Sequence, residues 1–172
     1  MQLVKLIASI PPRHTLHDLQ AKRGKTLINP KIKIVSGTAL FIFILDLATK
    51  VWATNVLEGK SSRSIIGNFL LLDFARNSGA AFSSFAGLTV VLTLLAICAL
   101  VAIIWYIPRV SHPLWALGFG SLTGGICGNL ADRLFRAPGF MQGEVVDWIR
   151  LPNWPLFNVA DSFIVTSVAL MI

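Results

Sequence analysis

Leu88–Ile107, LTVVLTLLAICALVAIIWYI, runs for twenty residues without a charge. A helix rises about 1.5 Å per residue, so this stretch reaches across the roughly 30 Å hydrocarbon core of a bilayer. The flanking sequence carries related signals. Upstream, Ile34–Asn55 is also long enough to cross and contains only two charges, Asp46 and Lys50, four residues apart. That spacing places them on one helical face, where an acid and a base can satisfy each other away from water. Downstream, Leu114–Arg133 is interrupted by glycines at 118, 120, 124, 125 and 128, which suits close helix packing within a membrane. A last apolar run starts near Leu156 and continues to Ile172, somewhat short of the usual span of roughly 20 residues. The expected fold is an all-α polytopic membrane protein with four transmembrane helices, at about 34–55, 88–107, 114–133 and 156–172. A small extracytoplasmic β-rich ectoloop accompanies them.

Composition agrees with this class. Of 172 residues 55% are hydrophobic and 13% charged, with a mean hydropathy of +0.71. Soluble domains are about 25% charged. The net charge of +7 would suit nucleic acid if it were spread over a surface. It is concentrated instead: seven of the fifteen basic residues, Lys5, Arg13, Lys22, Arg23, Lys25, Lys31 and Lys33, precede the first apolar run. That distribution argues for a cytoplasmic tail lying against anionic lipid and against a nucleic-acid partner. The chain therefore divides into a basic tail, 1–33, and a helical membrane domain, 34–172. Cys98 and Cys127 lie in apolar runs and form neither a metal spacing nor a disulfide framework. His14, His17 and His112 all fall outside the spans. No HExxH or GxSxG motif occurs, so neither zinc nor a serine nucleophile is expected, and no cofactor.

With the amino terminus in the cytoplasm, loops 56–87 and 134–155 fall on the same outer face. In the first, Ile66, Leu70, Leu72 and Phe74 partly alternate with polar positions before the turn-like Asn77-Ser78-Gly79, which predicts a short strand or hairpin. In the second, Val145-Val146-Asp147-Trp148-Ile149 precedes the last span and can fold back on its entrance. Asp161 is followed by eleven uncharged residues and sits just inside that span. An ionisable group there is costly and is by default a functional-site candidate. Asn77, Asn129, Arg133, Asp147, Asn158 and Asp161 thus converge on one membrane face. If Asp147 and Asp161 meet, a proton shared between them provides an acid and a base in one place. Taken from the residues alone, a first-turn acid on the helix dipole at Asp161 and a solvated loop charge at Asp147 stay open as readings of the pair.

Five segments together resemble the lipoprotein signal peptidases, the type II signal peptidases. They are Asp46-Leu47-Ala48-Thr49-Lys50, Asn77-Ser78-Gly79-Ala80-Ala81-Phe82, Gly128-Asn129-Leu130-Ala131-Asp132-Arg133, Val145–Ile149, and Phe157-Asn158-Val159-Ala160-Asp161. The resemblance runs from about Val35 to Ile172 and leaves the basic tail uncovered. It implies an intramembrane aspartyl endopeptidase of the bacterial cytoplasmic membrane, with its site near the outer face. Such an enzyme cuts diacylglyceryl-modified prolipoproteins before the lipidated cysteine. It implies a catalytic pair at Asp147 and Asp161, substrate contacts from Asn77, Gly79 and Arg133, orientation by Asn129 and Asn158, and a stabilising ion pair at Asp46 and Lys50. It also implies membrane lipids as surroundings and globomycin-like cyclic peptides as inhibitors. Two alternatives of another class stay open at this stage. One is a non-catalytic scaffold that binds lipidated segments; the other is a small proton-coupled transporter using Asp46, Asp132 and Asp161.

Overall fold

The computed structural model describes residues 30–79 and 86–172. Four α-helices and three strands follow in the order α1 Pro30–Leu57, β1 Arg63–Ile66, β2 Leu70–Asn77, α2 Ala86–Tyr106, α3 Pro113–Phe135, β3 Val145–Arg150 and α4 Val159–Met171. A 3₁₀ turn, Ile107–Arg109, links α2 to α3 around Pro108. Most of the basic tail and Ala80-Ala81-Phe82-Ser83 of the first loop lie outside the described residues. Residues 30–33 of the expected tail are the first turn of α1, because Pro30 fits the first turn, where no intrahelical N–H donor is needed.

Among the described residues two helices are long and apolar enough to cross a membrane, Pro30–Leu57 and Leu88–Arg109. Their outward faces carry Leu40, Phe41, Ile44, Leu95, Val101, Ile104 and Trp105, all exposed. α4 is shorter than the sequence suggests, since it begins at Val159 and not near Leu156. Asn158 caps it and Pro155 lies outside it.

The glycines of α3 set how closely the helices approach. A methyl group on Gly124 would lie 2.7 Å from the Ala39 carbonyl oxygen and 2.9 Å from Ile42 Cβ, so only glycine lets α1 pack at this depth. One turn along, a methyl on Gly128 would occupy the space held by the Asp46 carboxylate. The same closeness brings the charges of α1 against α3.

The sheet is antiparallel in the order β1-β2-β3. The expected hairpin is present, closed by Phe69 N–H donating to the Ile66 carbonyl at 2.8 Å, with Gly67 at φ 48° in the turn. The third strand comes from the second loop, so the β structure is shared by both loops and is not confined to the first. Ala75 pairs with Asp147 and Asn77 with Val145. The sheet seats on the end of α1 through Ala53, Leu57 and Val146, with Val56, Leu72, Phe74 and Trp148 packed around them. Trp148 meets Trp52 edge to face, ring centroids 5.4 Å apart.

Candidate active site

Asp147 and Asp161 reach the site by different local rules. On β3, Asp147 points to the face that looks toward α4, and it is 2% exposed. Since Asp147 lies opposite Ala75, Asn77 is its diagonal neighbour across the two strands. Asn77 Nδ2 donates to Asp147 Oδ2 at 2.8 Å. The other end of that amide is fixed too, because Gly79 N–H donates to Asn77 Oδ1 at 2.7 Å. Gly79 stands at φ 86°, and a methyl there would collide with Leu92 and reach within 3.8 Å of Arg133 Nη2. A side chain at this position is strained by the backbone angle and would also displace the tip of Leu92.

Asp161 belongs to a capping box. Its backbone N–H donates to Asn158 Oδ1 at 2.9 Å, and Asn158 N–H donates to Asp161 Oδ2 at 3.2 Å. The third residue of a helix is thereby held with its carboxylate beside the free N–H groups of the first turn, where negative charge is favoured.

Asn158 joins the two halves. Fully buried, it also donates from Nδ2 to Asp147 Oδ1 at 2.7 Å and to Asn129 Oδ1 at 3.1 Å. Asn129 in turn donates from Nδ2 to Asp161 Oδ1 at 2.7 Å. Two carboxyl groups from different elements therefore share one bridging residue. Burial pushes Asp147 up from its ordinary 3.8 to about 6; the charge of Asp161 adds to the rise, and the amides of Asn77 and Asn158 hold it back.

Arg133 lies one turn beyond Asn129 on α3, and the charges of Asp161, Asp147 and Asp132 act on it. Its Nη1 donates weakly to the Asn129 carbonyl at 3.5 Å, while its buried Nε has no hydrogen-bond partner among the described residues.

Asp46 and Lys50 pair at 2.7 Å, as their spacing predicts, and both are fully buried. Their surroundings extend further than the pair. Lys50 also lies 3.0 Å from Asp132 and donates to Asn129 Oδ1 at 2.9 Å. Asp46 Oδ1 accepts from Ala160 N–H at 2.9 Å, tying α1 to the first turn of α4. Asp132 accepts from Val146 N–H at 3.2 Å and is paired with Arg136, so it holds β3 against α3. Asp132 and Arg136 were not singled out as site-supporting residues by their sequence. Their i, i+4 spacing at a helix end is the signal that identifies them.

Comparison with known proteins gives these features a context. A family model described as signal peptidase (SPase) II matches residues 38–172. The lipoprotein signal peptidase of Mycobacterium tuberculosis (strain ATCC 25618 / H37Rv) is 44% identical over 142 residues, covering 83% of this chain and 70% of that protein. The lipoprotein signal peptidase of Mycobacterium leprae (strain Br4923) is 42% identical over 152 residues, covering 88% of this chain and 76% of the relative. A solved structure of a bacterial membrane enzyme superposes with a TM-score of 0.70 at 28% identity, over 86% of this chain and 92% of that one. All five segments that carry the resemblance fall inside the matched range. The chain belongs to the signal peptidase II family.

Proposed function

We propose that Asp147 and Asp161 are the catalytic pair of an intramembrane aspartyl endopeptidase that removes signal peptides from diacylglyceryl-modified prolipoproteins. The observation that carries the assignment is Asn158, which hydrogen-bonds both carboxyl groups at once. Asp147, buried and raised to about 6, is suited to carry the shared proton. Asp161, held by the capping box beside the first-turn N–H groups of α4, is placed to act as base.

Chemistry follows from these roles. Asp161 takes a proton from a water held between the carboxyls, and the oxygen of that water attacks the scissile carbonyl carbon. Asp147 gives its proton to the carbonyl oxygen. The tetrahedral gem-diol collapses with breakage of the C–N bond: Asp161 passes the proton it took to the leaving nitrogen of the lipidated cysteine, and one hydroxyl of the gem-diol returns its proton to Asp147 as the new carboxyl group forms. The unspent Arg133 Nε and the amide of Asn77 are placed to bind substrate carbonyl groups, and Gly79 supports them by fixing the orientation of Asn77. Asn129 and Asn158 orient the carboxyls, and the Asp46–Lys50 pair stabilises the site.

The site lies at the end of α1 away from the basic tail, which supports a cytoplasmic amino terminus and a site near the outer face of the bacterial cytoplasmic membrane. The expected division into a 1–33 tail and a four-span domain over 34–172 belongs to this proposal, as do globomycin-like cyclic peptides as groove-filling inhibitors. Family membership favours the peptidase over the scaffold and the transporter.

The test is cleavage of a diacylglyceryl-modified prolipoprotein in lipid vesicles by the parent, Asp147→Asn and Asp161→Asn, with binding of uncleaved substrate measured in parallel. Each variant is expected to bind normally and to lose at least about a hundredfold in turnover. Near-parental cleavage by either variant removes the two-aspartate mechanism, and cleavage-independent function in both favours the scaffold.

A further inference from the structure

We propose that Lys50 is a positioning residue for the dyad: as a charged donor it holds Asn129, whose amide nitrogen meets Asp161 and whose oxygen meets Asn158. This rests on the assignment of Asp147 and Asp161 as the catalytic pair. An ammonium group can only donate. The atom of Asn129 that faces Lys50 Nζ at 2.9 Å must therefore be the oxygen. Its nitrogen is then turned to Asp161, and the Asp161 Oδ1 it meets at 2.7 Å must be an acceptor. The same Asn129 oxygen accepts from Asn158 at 3.1 Å, so the atom of Asn158 on that side is its nitrogen. That nitrogen also donates to Asp147 Oδ1 at 2.7 Å, which leaves Asn158 Oδ1 to accept from the Asp161 N–H. Two obligate donors thus fix the amides in the same sense, Lys50 Nζ at Asn129 and the Asp161 N–H at Asn158. The orientation of Asn77, set independently by Gly79 N–H, makes Asp147 Oδ2 an acceptor as well.

The effect is directional and does not come from net charge. Asp46, Lys50, Asp132 and Arg136 pair among themselves as two acids and two bases. Without Lys50, Asn129 Oδ1 loses its charged donor, and the amide that donates to Asp161 is held from that side by Asn158 alone. A purely structural ion pair would be replaceable by a neutral pair of similar shape; a positioning cation would not.

The deciding experiment compares the parent with the double variant Asp46→Asn/Lys50→Met. This variant keeps an oxygen for Ala160 N–H, removes both charges of the pair and removes the donor to Asn129. Thermal unfolding and steady-state cleavage are measured together. The expected result is a folded protein with KM within about twofold of the parent and kcat lowered at least tenfold. A double variant with parental kcat overturns the proposal. Asn129→Asp supplies the second arm, and decides alone if the double variant does not fold. It keeps acceptors for Lys50 and Asn158 but has no donor for Asp161, so kcat is expected to fall at least tenfold with KM unchanged; unchanged kcat overturns the proposal. Parallel Asp147→Asn and Asp161→Asn controls separate the two levels. If they still cleave, the dyad itself is misassigned, whereas dead controls beside a fully active double variant remove only the role of Lys50.

Discussion

Lys50 stands between Asp46 and Asp132 at 2.7 and 3.0 Å, whereas Asp147 and Asp161 are met by amides and by backbone N–H groups. Among the described residues neither of the latter two forms an ion pair. Both clusters are buried and both bind α3 to its neighbours, so burial alone does not distinguish them. Compensation does. In the first cluster each charge has an opposite charge in contact, which makes it useful as a fastening. In the second the carboxyls are oriented but not neutralised, which leaves one of them able to hold a proton near neutral pH. A membrane protein can place carboxylates at similar depth for opposite ends, and the local partners decide which.

The contrast can be broken most severely from the paired side. Lys50→Met alone leaves Asp46 and part of Asp132 buried without their cation, and should destabilise the fold by about 3–5 kcal/mol, measured by thermal unfolding in detergent. Adding Asp46→Asn should recover most of that loss; no recovery would show that the pair does not act as a pair.

From the other side, pH sharpens the difference. Asp147 is raised from 3.8 to about 6 by burial first and by Asp161 second, so the folded state holds its proton more tightly than the unfolded chain does. The sign follows: the stabilisation is complete below about pH 4 and is lost as pH rises through about 6. The gap corresponds to about 3 kcal/mol at most. Unfolding followed between pH 4 and 7 should show this slope in the parent and lack it in Asp147→Asn. A slope of equal size in the variant would place its origin elsewhere.

Packing offers a smaller lever. Gly128→Ala pushes a methyl group into the Asp46 carboxylate and should cost about 1–3 kcal/mol, with most of the loss appearing as stability and not as a changed KM. Smallest of all, Arg150→Ala removes a pair with Asp73 at 2.8 Å whose arginine is 52% exposed, and should change stability by no more than about 1 kcal/mol. A larger change would mean that the rim of the sheet is as tightly coupled as its interior.

Much of this molecule is legible in its sequence, for reasons that vary along the chain. α2 is legible because nothing interrupts its apolar run, and the first hairpin because alternation meets a turn at Gly67 and another at Asn77–Gly79. The Asp46–Lys50 pair is a matter of helical spacing. By contrast, pairing of β2 with β3 brings residues 70 apart into contact, as in the Asn77–Asp147 bond, and no local pattern encodes that register. The contact of Lys50 with Asp132 has the same character, since it depends on how deeply α1 settles on the glycines of α3. The start of α4 could have been placed correctly from sequence: Asn158 followed three residues later by Asp161 is a helix-start signal, and it outweighs the apolar residues before it. The dyad itself became readable only through the family resemblance, because one carboxyl comes from a strand and the other from a helix cap.

The capping box has a bearing on the life of the chain before it is complete. Asp161 and the bridging Asn158 are supplied by the last helix described, and the same two residues start that helix. A nascent chain that has made only α1 to β3 owns Asp147 but neither its partner nor its bridge. Docking of α4 is what brings the second carboxyl to the first. On the two-aspartate assignment proposed above, hydrolytic competence therefore arrives late in biogenesis, and shortened translation products that lack α4 lack the second carboxyl.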